Sequence, residues 1–286
     1  MEFSELNLRE LDRELNAAEL EEWNGIYSSF RGGSVVSGTV IGVDFHKFDV
    51  KGKREKAEVA CLVAIKNRVK IIIPEPEVWM TPTGRIYMLR SMRGGAVDYV
   101  VTHIDRENGF AVASRKQALS ELRFAARNQR PLGQTVAVQV LSVGRNVCTV
   151  TYNGYDVLLS QRDISYSIVP DLREVLHPGD VKNAVVTEWN PKDGVVNFSI
   201  KATMRHPFDG IDVRHPLGAT RVATIIGKYA GGVFCRLFDG VTDVLCTYDA
   251  LQYDGDFAMG DRVEVLVKKY NREKKLVYGK ILRKMY

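Results

Sequence analysis

Gly260-Asp261-Arg262-Val263-Glu264-Val265-Leu266-Val267, the turn Asn271-Arg272-Glu273-Lys274-Lys275, and the strand-like run 276–282 form the stretch on which the fold reading rests. A glycine opens a run of alternating apolar residues, a polar turn reverses the chain, and a second apolar run ends on a basic tail. The frame recurs at Gly179-Asp180-Val181 with the turn Asn190-Pro191-Lys192-Asp193-Gly194. It recurs again at Gly95-Ala96-Val97 with Asp105-Arg106-Glu107-Asn108-Gly109. The three glycines are 84 and 81 residues apart. Solenoids and propellers repeat at about 20–50 residues, so this period describes a complete small domain present three times.

Short apolar runs surround each copy. The first set is 35–43, 59–65, 69–73, 97–101 and 110–113; the second is 136–143, 147–152, 155–159, 181–188 and 195–200. The third is 222–226, 233–238, 244–247, 263–268 and 276–282. Short alternating runs punctuated by Gly, Pro and Asn read as strands. Asn153-Gly154 is a hairpin signal, because both central residues of that turn need positive φ. Five strands per copy is the OB-fold count. The expected fold is mainly β: three tandem five-stranded OB-fold barrels behind an N-terminal α-helix. The expected boundaries are an acidic helix at 1–32, barrels at 33–120, 131–206 and 218–286, a helical linker at 121–130 and a second linker at 207–217. Asn7-Leu8-Arg9-Glu10 reads as a capping box, and Leu8, Leu11, Leu15, Trp23, Tyr27 and Phe30 continue the helix's apolar positions. That stripe either packs on the first barrel, the ordinary fate of an amphipathic helix, or docks onto another protein. Residues 44–58, carrying Lys47, Lys51, Lys53, Arg54 and Lys56, read as a loop.

The net charge of +5 hides an asymmetry: residues 1–31 carry eight acids and three bases, so the remainder is strongly basic. A basic body attracts polyanions without naming one. No apolar run approaches the roughly 20 residues that cross a bilayer, and no secretory signal is visible; the expectation is a cytoplasmic protein with no membrane partner. Cys61, Cys148, Cys235 and Cys246 lie in separate apolar runs and read as reduced, buried residues. His206 and His215 lack the further ligands a metal needs, and Asp254 and Asp256 read as turn residues. There is no Walker loop, dinucleotide-binding glycine pattern or G-x-S-x-G elbow. We therefore expect no catalytic activity, no cofactor and no metal.

The frame Gly-Asp-x-Val, strand, Asp/Asn turn, Ser-x-Lys resembles the RNA-binding OB-fold repeat of ribosomal protein S-one, in the style of bacterial and prophage proteins. It covers about 33–286, through Gly231-Gly232-Val233-Phe234-Cys235-Arg236-Leu237 and Gly240-Val241-Thr242-Asp243-Val244-Leu245 in the third copy, Asn153 to Ser160 in the second, and Ala113-Ser114-Arg115-Lys116 in the first. The resemblance implies single-stranded RNA as partner, held by two aromatics around a glycine, a histidine on the next strand, and an acid and a base at the last turn. In the third copy Phe234 matches the second aromatic; the first falls on Gly231, with Tyr229 two residues away. The histidine position falls on Cys246, the acid on Asn271 and the base on Lys275. Strand alternation places Phe234 and Arg236 outward, and Lys228, Lys268, Lys269 and Arg272 add charge. In the first copy Lys66, Arg68 and Lys70 are candidate phosphate contacts, with Pro74 at the histidine position. The second copy has Val147, Cys148 and Thr149 near the aromatic positions and Ser160 at the histidine one, and it looks like a spacer or protein-binding unit. The expected function is non-catalytic binding of single-stranded RNA in translation or RNA metabolism. The alternative is docking onto a ribosome, polymerase or phage component through the helix and the second barrel.

Overall fold

The computed structural model describes residues 17–48, 57–80, 86–167 and 169–285. The proposed capping box at 7–10 and Leu8, Leu11, Leu15 lie outside the described residues, as do Lys51, Lys53, Arg54 and Lys56. Three five-stranded sheets follow one helix. β1 (Val36–Phe48), β2 (Ala57–Lys66), β3 (Val69–Pro74), β4 (Ala96–Asp105) and β5 (Phe110–Ser114) close in the order β1-β2-β3-β5-β4. β11 (Thr220–Tyr229), β12 (Gly232–Leu237), β13 (Asp243–Thr247), β14 (Arg262–Asn271) and β15 (Leu276–Met285) close in the same order. In both, a parallel pairing between third and fifth strands seals the barrel. This is the OB-fold arrangement the repeat predicts.

The middle sheet keeps the strand order but stays open. β6 (Thr135–Val143), β7 (Val147–Tyr152), β8 (Tyr155–Ser160), β9 (Val181–Asn190) and β10 (Val195–Ser199) run β10-β9-β6-β7-β8. At the open seam an aromatic cluster occupies the space: Tyr152 meets Phe198 at 5.8 Å and Tyr155 meets Trp189 at 5.4 Å between ring centroids. These rings pack the β7–β8 hairpin against the β9–β10 hairpin with apolar surface.

Helix α1 (Ala17–Gly32) buries Trp23, Ile26 and Tyr27, spaced as one helical stripe, in the core of the first barrel. Ser29 is fully buried there and its Oγ accepts from the Val101 amide at 3.0 Å. Of the two readings of this helix, packing on its own barrel is the one its described residues display. The 44–58 segment is less of a loop than its charge suggests: Asp44 to Phe48 pair with Cys61 to Ala57, so β1 and β2 extend as a hairpin ribbon. Ladder hydrogen bonds satisfy the backbone whatever the side chains are, so charge alone does not end a strand. Short helices α2 (Ile86–Arg90), α4 (Gln161–Ile164) and α5 (Ile211–Arg214) fill connections, while α3 (Arg115–Ala126) follows β5 directly, capped by Ser114 Oγ accepting from the Gln117 amide.

Backbone contacts divide the chain into two compact units, 1–160 with 171–199, and 161–170 with 200–286. The first unit is fused through its interior. Leu141 of β6 lies in the first barrel's core cluster. Arg115, 1% exposed, donates two 2.7 Å bonds to the Asp156 carboxylate and a third to the Val78 carbonyl, with its guanidinium over the Trp79 ring. Arg123 donates to the Gly154 carbonyl at 2.8 Å and lies over the Tyr155 ring. A helix face and a hairpin thus lock the first two sheets together. The second unit has its own core around Ile225, Val233, Cys235, Val244, Val265 and Ile281.

Candidate nucleic-acid interface

Each barrel carries a β-bulge on its first strand, at Val40/Gly42, Val140/Ser142 and Ile225/Gly227. The bulge puts the three sheets in register and allows the same outward row to be compared across them. In the third barrel the row reads Gly227, Phe234, Leu245, Tyr278, Lys269 across β11-β12-β13-β15-β14. In the first barrel it reads Gly42, Val63, Ile72, Val112, His103, and Val63 and Ile72 are buried. In the middle sheet it reads Ser142, Thr149, Leu158. Only the third row combines aromatic rings with an exposed cation.

Alternation along β12 buries Val233, Cys235 and Leu237 and leaves Phe234 and Arg236 half-buried on the outer face, as the sequence predicts. Tyr229 lies 5.1 Å from Phe234 between centroids, with the rings tilted by 56°. Gly232 permits this: a Cβ there would stand 2.9 Å from the Tyr229 hydroxyl and 2.0 Å from the Cys246 carbonyl oxygen. The Tyr229 hydroxyl donates to that carbonyl at 3.3 Å, which fixes the ring's orientation. Tyr229 and Phe234 therefore form a preorganised pair whose ordering cost is met by the fold rather than by a ligand.

The cations separate into paired and unpaired groups. Lys228 binds the Asp254 carboxylate at 3.1 Å, Arg236 grips Asp243 at 2.9 and 3.1 Å, and Lys280 binds Asp249 at 2.8 Å. Arg272 reaches Asp212 only at 3.9 Å and is largely exposed. Lys268, Lys269 and Lys275 are exposed, with no carboxylate within ion-pair distance among the described residues. In the first barrel Lys70 is held by Asp44 at 3.1 Å, Lys66 donates to the Ser37 carbonyl, and Arg68 lies exposed in the β2–β3 turn at φ 65°. The sequence thus locates the charges, while the fold decides that Lys228, Arg236 and Lys70 are already compensated.

Cys246, at the family's histidine position, is fully buried inside the barrel. A hydrogen bond with Cys235, and burial, raise its thiol far above the ordinary range, so it offers a ligand nothing. Asn271, at the acid position, caps its own turn by accepting from the Lys274 amide. Asp254 and Asp256 are turn carboxylates: Asp256 accepts from the Tyr253 amide, and Asp254 accepts from Lys228 and the Tyr248 hydroxyl. Burial, then Asp254, pushes the Tyr248 phenol up to about 12. Among the described residues no cluster of three His, Cys, Asp or Glu side chains could hold a metal ion. No described helix is long and apolar enough to cross a membrane.

Tyr278 and Leu245 are not among the residues that the sequence singles out. The signal for Tyr278 was available, since Val277, Gly279 and Ile281 point inward and Tyr278 must then point out. Its place in the Phe234 row, next to Leu245, is not legible, because the parallel β13–β15 register sets it.

No family model matches the chain. Small ribosomal subunit protein bS1 of Rhodopseudomonas palustris is 24% identical over 151 residues, covering 51% of this chain and 27% of that protein. The bS1 protein of Coxiella burnetii is 21% identical over 278 residues, covering 93% of this chain and 47% of its own length. A 4-hydroxy-3-methylbut-2-enyl diphosphate reductase of Clostridium acetobutylicum is 24% identical over 242 residues, covering 82% and 34%. The chain thus spans between about a quarter and a half of these relatives. What the ribosomal protein and the reductase share with it is a stretch of sequence, and the activity in the reductase's name belongs to that protein.

Proposed function

We propose that this chain binds single-stranded RNA without turning it over, through the third barrel, in the cytoplasm and in the service of translation or RNA metabolism in a bacterium or its phage. The observation that carries the reading is the outward row Phe234–Leu245–Tyr278–Lys269 with Tyr229 set against Phe234. Bases stack on such rings while cations follow the phosphates. Similarity to two bacterial ribosomal proteins supports it. Lys268, Lys269, Arg272 and Lys275 serve the phosphates, whereas Lys228 and Arg236 shape the surface through their own carboxylates. The first barrel adds charge through Arg68 and Lys66, whereas Lys70 is already held by Asp44. A second reading, docking onto a protein, draws on Leu251 and Met259, exposed on the β13–β14 connection.

Fluorescence anisotropy with a labelled single-stranded RNA over a salt series tests the reading. Stacking is worth about 1–3 kcal/mol per base, so Phe234→Ala weakens binding roughly five- to thirtyfold, given that its ring is half-buried. Lys269→Ala lowers the slope of log K against log salt by about 0.7. Leu158→Ala, at the matching row of the middle sheet, leaves affinity unchanged. No binding by the intact chain at low salt, or equal affinity for Phe234→Ala, would sink it.

A further inference from the structure

Beside the third barrel, within the second unit, lies a groove that the barrel's own strands only half build. Two adjoining hollows of about 230 and 360 Å³ share Tyr166, His206, Pro207 and Val241. Ligand pockets run from about 300 Å³ upward, so the pair matches a small ligand, one nucleotide rather than several. Tyr166 and His206 form one wall, with ring centroids 4.3 Å apart. The Ser167 hydroxyl donates to the Val241 carbonyl at 2.8 Å and fastens the tyrosine's segment to the β12–β13 loop. The Phe208 amide donates to His206 Nδ1 at 3.0 Å. Burial, with Lys275 nearby, lowers the pKa of His206. The ring is then uncharged at neutral pH, with its proton on Nε2, where it can donate to an incoming acceptor.

Four cations around the groove have no ion-pair partner among the described residues, whereas Arg214, which also lines the outer hollow, is held by Asp239 at 3.1 Å. Lys274 and Lys275 line the inner hollow from the β14–β15 turn and Arg205 lines the outer one, while Lys201 Nζ lies 5.7 Å from the Tyr166 ring centre. No carboxylate stands within ion-pair distance of any of these four among the described residues. The acids present are occupied or peripheral: Asp243 is gripped by Arg236, and Asp209 lies at the outer hollow. The groove also adjoins the aromatic row. Leu276 lines it and precedes Tyr278 on the same face of β15, about 7 Å away at the rise of a strand.

We infer that this groove holds one nucleotide of the RNA strand that crosses the third barrel, its base stacked on the Tyr166–His206 pair and its phosphate between Lys274 and Lys275. The inference rests on the RNA reading above and adds to it a second anchor, supplied by the segments 165–167 and 204–208 rather than by the barrel itself. It gives the third barrel a polarity: a bound strand runs from the Phe234 row toward the β14–β15 turn.

The test uses the full chain and fluorescein-labelled oligouridylate, with anisotropy titrations at several salt concentrations and 4-thiouridine photo-crosslinking. Tyr166→Ala weakens binding about fivefold or more, and the lost base contact removes the cross-link within residues 162–173. Lys274→Ala with Lys275→Ala lowers the salt slope. All three side chains are exposed, so these variants keep the fold. If the intact chain binds and Phe234→Ala weakens it, while Tyr166→Ala and the double lysine variant bind like the parent, the groove is overturned and the RNA reading stands. If the intact chain does not bind at low salt, both fall together.

Discussion

Gly154→Ala measures how tightly the first two sheets are fused. Gly154 has φ +80°, beside Asn153 at +47°, in the hairpin turn between β7 and β8. A Cβ there would stand 2.4 Å from the Leu119 carbonyl oxygen and 3.1 Å from both Leu122 Cβ and Arg123 Cγ, all on α3. The first cost is conformational, about 1–2 kcal/mol for an L-residue held in the left-handed region. The second is steric: the obstacle is helix backbone, so hairpin and helix must separate by about an ångström, an overpacking cost of about 1–3 kcal/mol. Gly194 supplies the control, because its φ is +72° in the same unit and nothing lies within 4 Å of its would-be Cβ. Gly194→Ala therefore carries the first cost alone. Urea unfolding followed by tryptophan fluorescence should place Gly154→Ala about 1–3 kcal/mol below Gly194→Ala. Equal destabilisation of the two variants would refute the claim that hairpin and helix are locked backbone to backbone.

Two further outcomes follow from buried charge. Arg115→Met leaves the Asp156 carboxylate without its two donors and removes the bond to Val78; breaking such a pair costs about 3–5 kcal/mol, and adding Asp156→Leu recovers much of the loss in the same unfolding assay. In the third barrel, burial alone would raise the Asp239 carboxyl, but bonds from Thr242, His215 and the amides of 241 and 242 outweigh it and hold the group down to about 2. A carboxylate depressed in the folded state stabilises above its unfolded pKa, about 4, and the contribution is lost as pH falls toward 2. Stability of this unit should therefore decline between pH 4 and 2, and Asp239→Asn should flatten that part of the profile; an unchanged slope counts against the assignment.

Much of the architecture was open to the sequence because it rests on local rules. The glycine–strand–turn frame at 95, 179 and 260 fixes where chains reverse, and period-two alternation settles that Val233, Cys235 and Leu237 point in while Phe234 points out. Tyr229 and Phe234 could be chosen as a pair because two glycines separate them in a hairpin. What the sequence withheld depends on segments far apart along the chain. The third and fifth strands meet in parallel only through the closed barrel, and that register brings Tyr278 beside Leu245, in the same row as Phe234. Charge compensation is equally long-range: Lys228 and Asp254 are 26 residues apart yet 3.1 Å from each other. A lysine's availability is set by which carboxylate the fold brings within a few ångströms, and no composition count contains that. The open middle sheet, held by rings from two hairpins, and the groove between Tyr166, His206 and the β14–β15 turn are decided the same way. Local pattern determines the barrels and their faces; three-dimensional proximity determines which charges on those faces remain free.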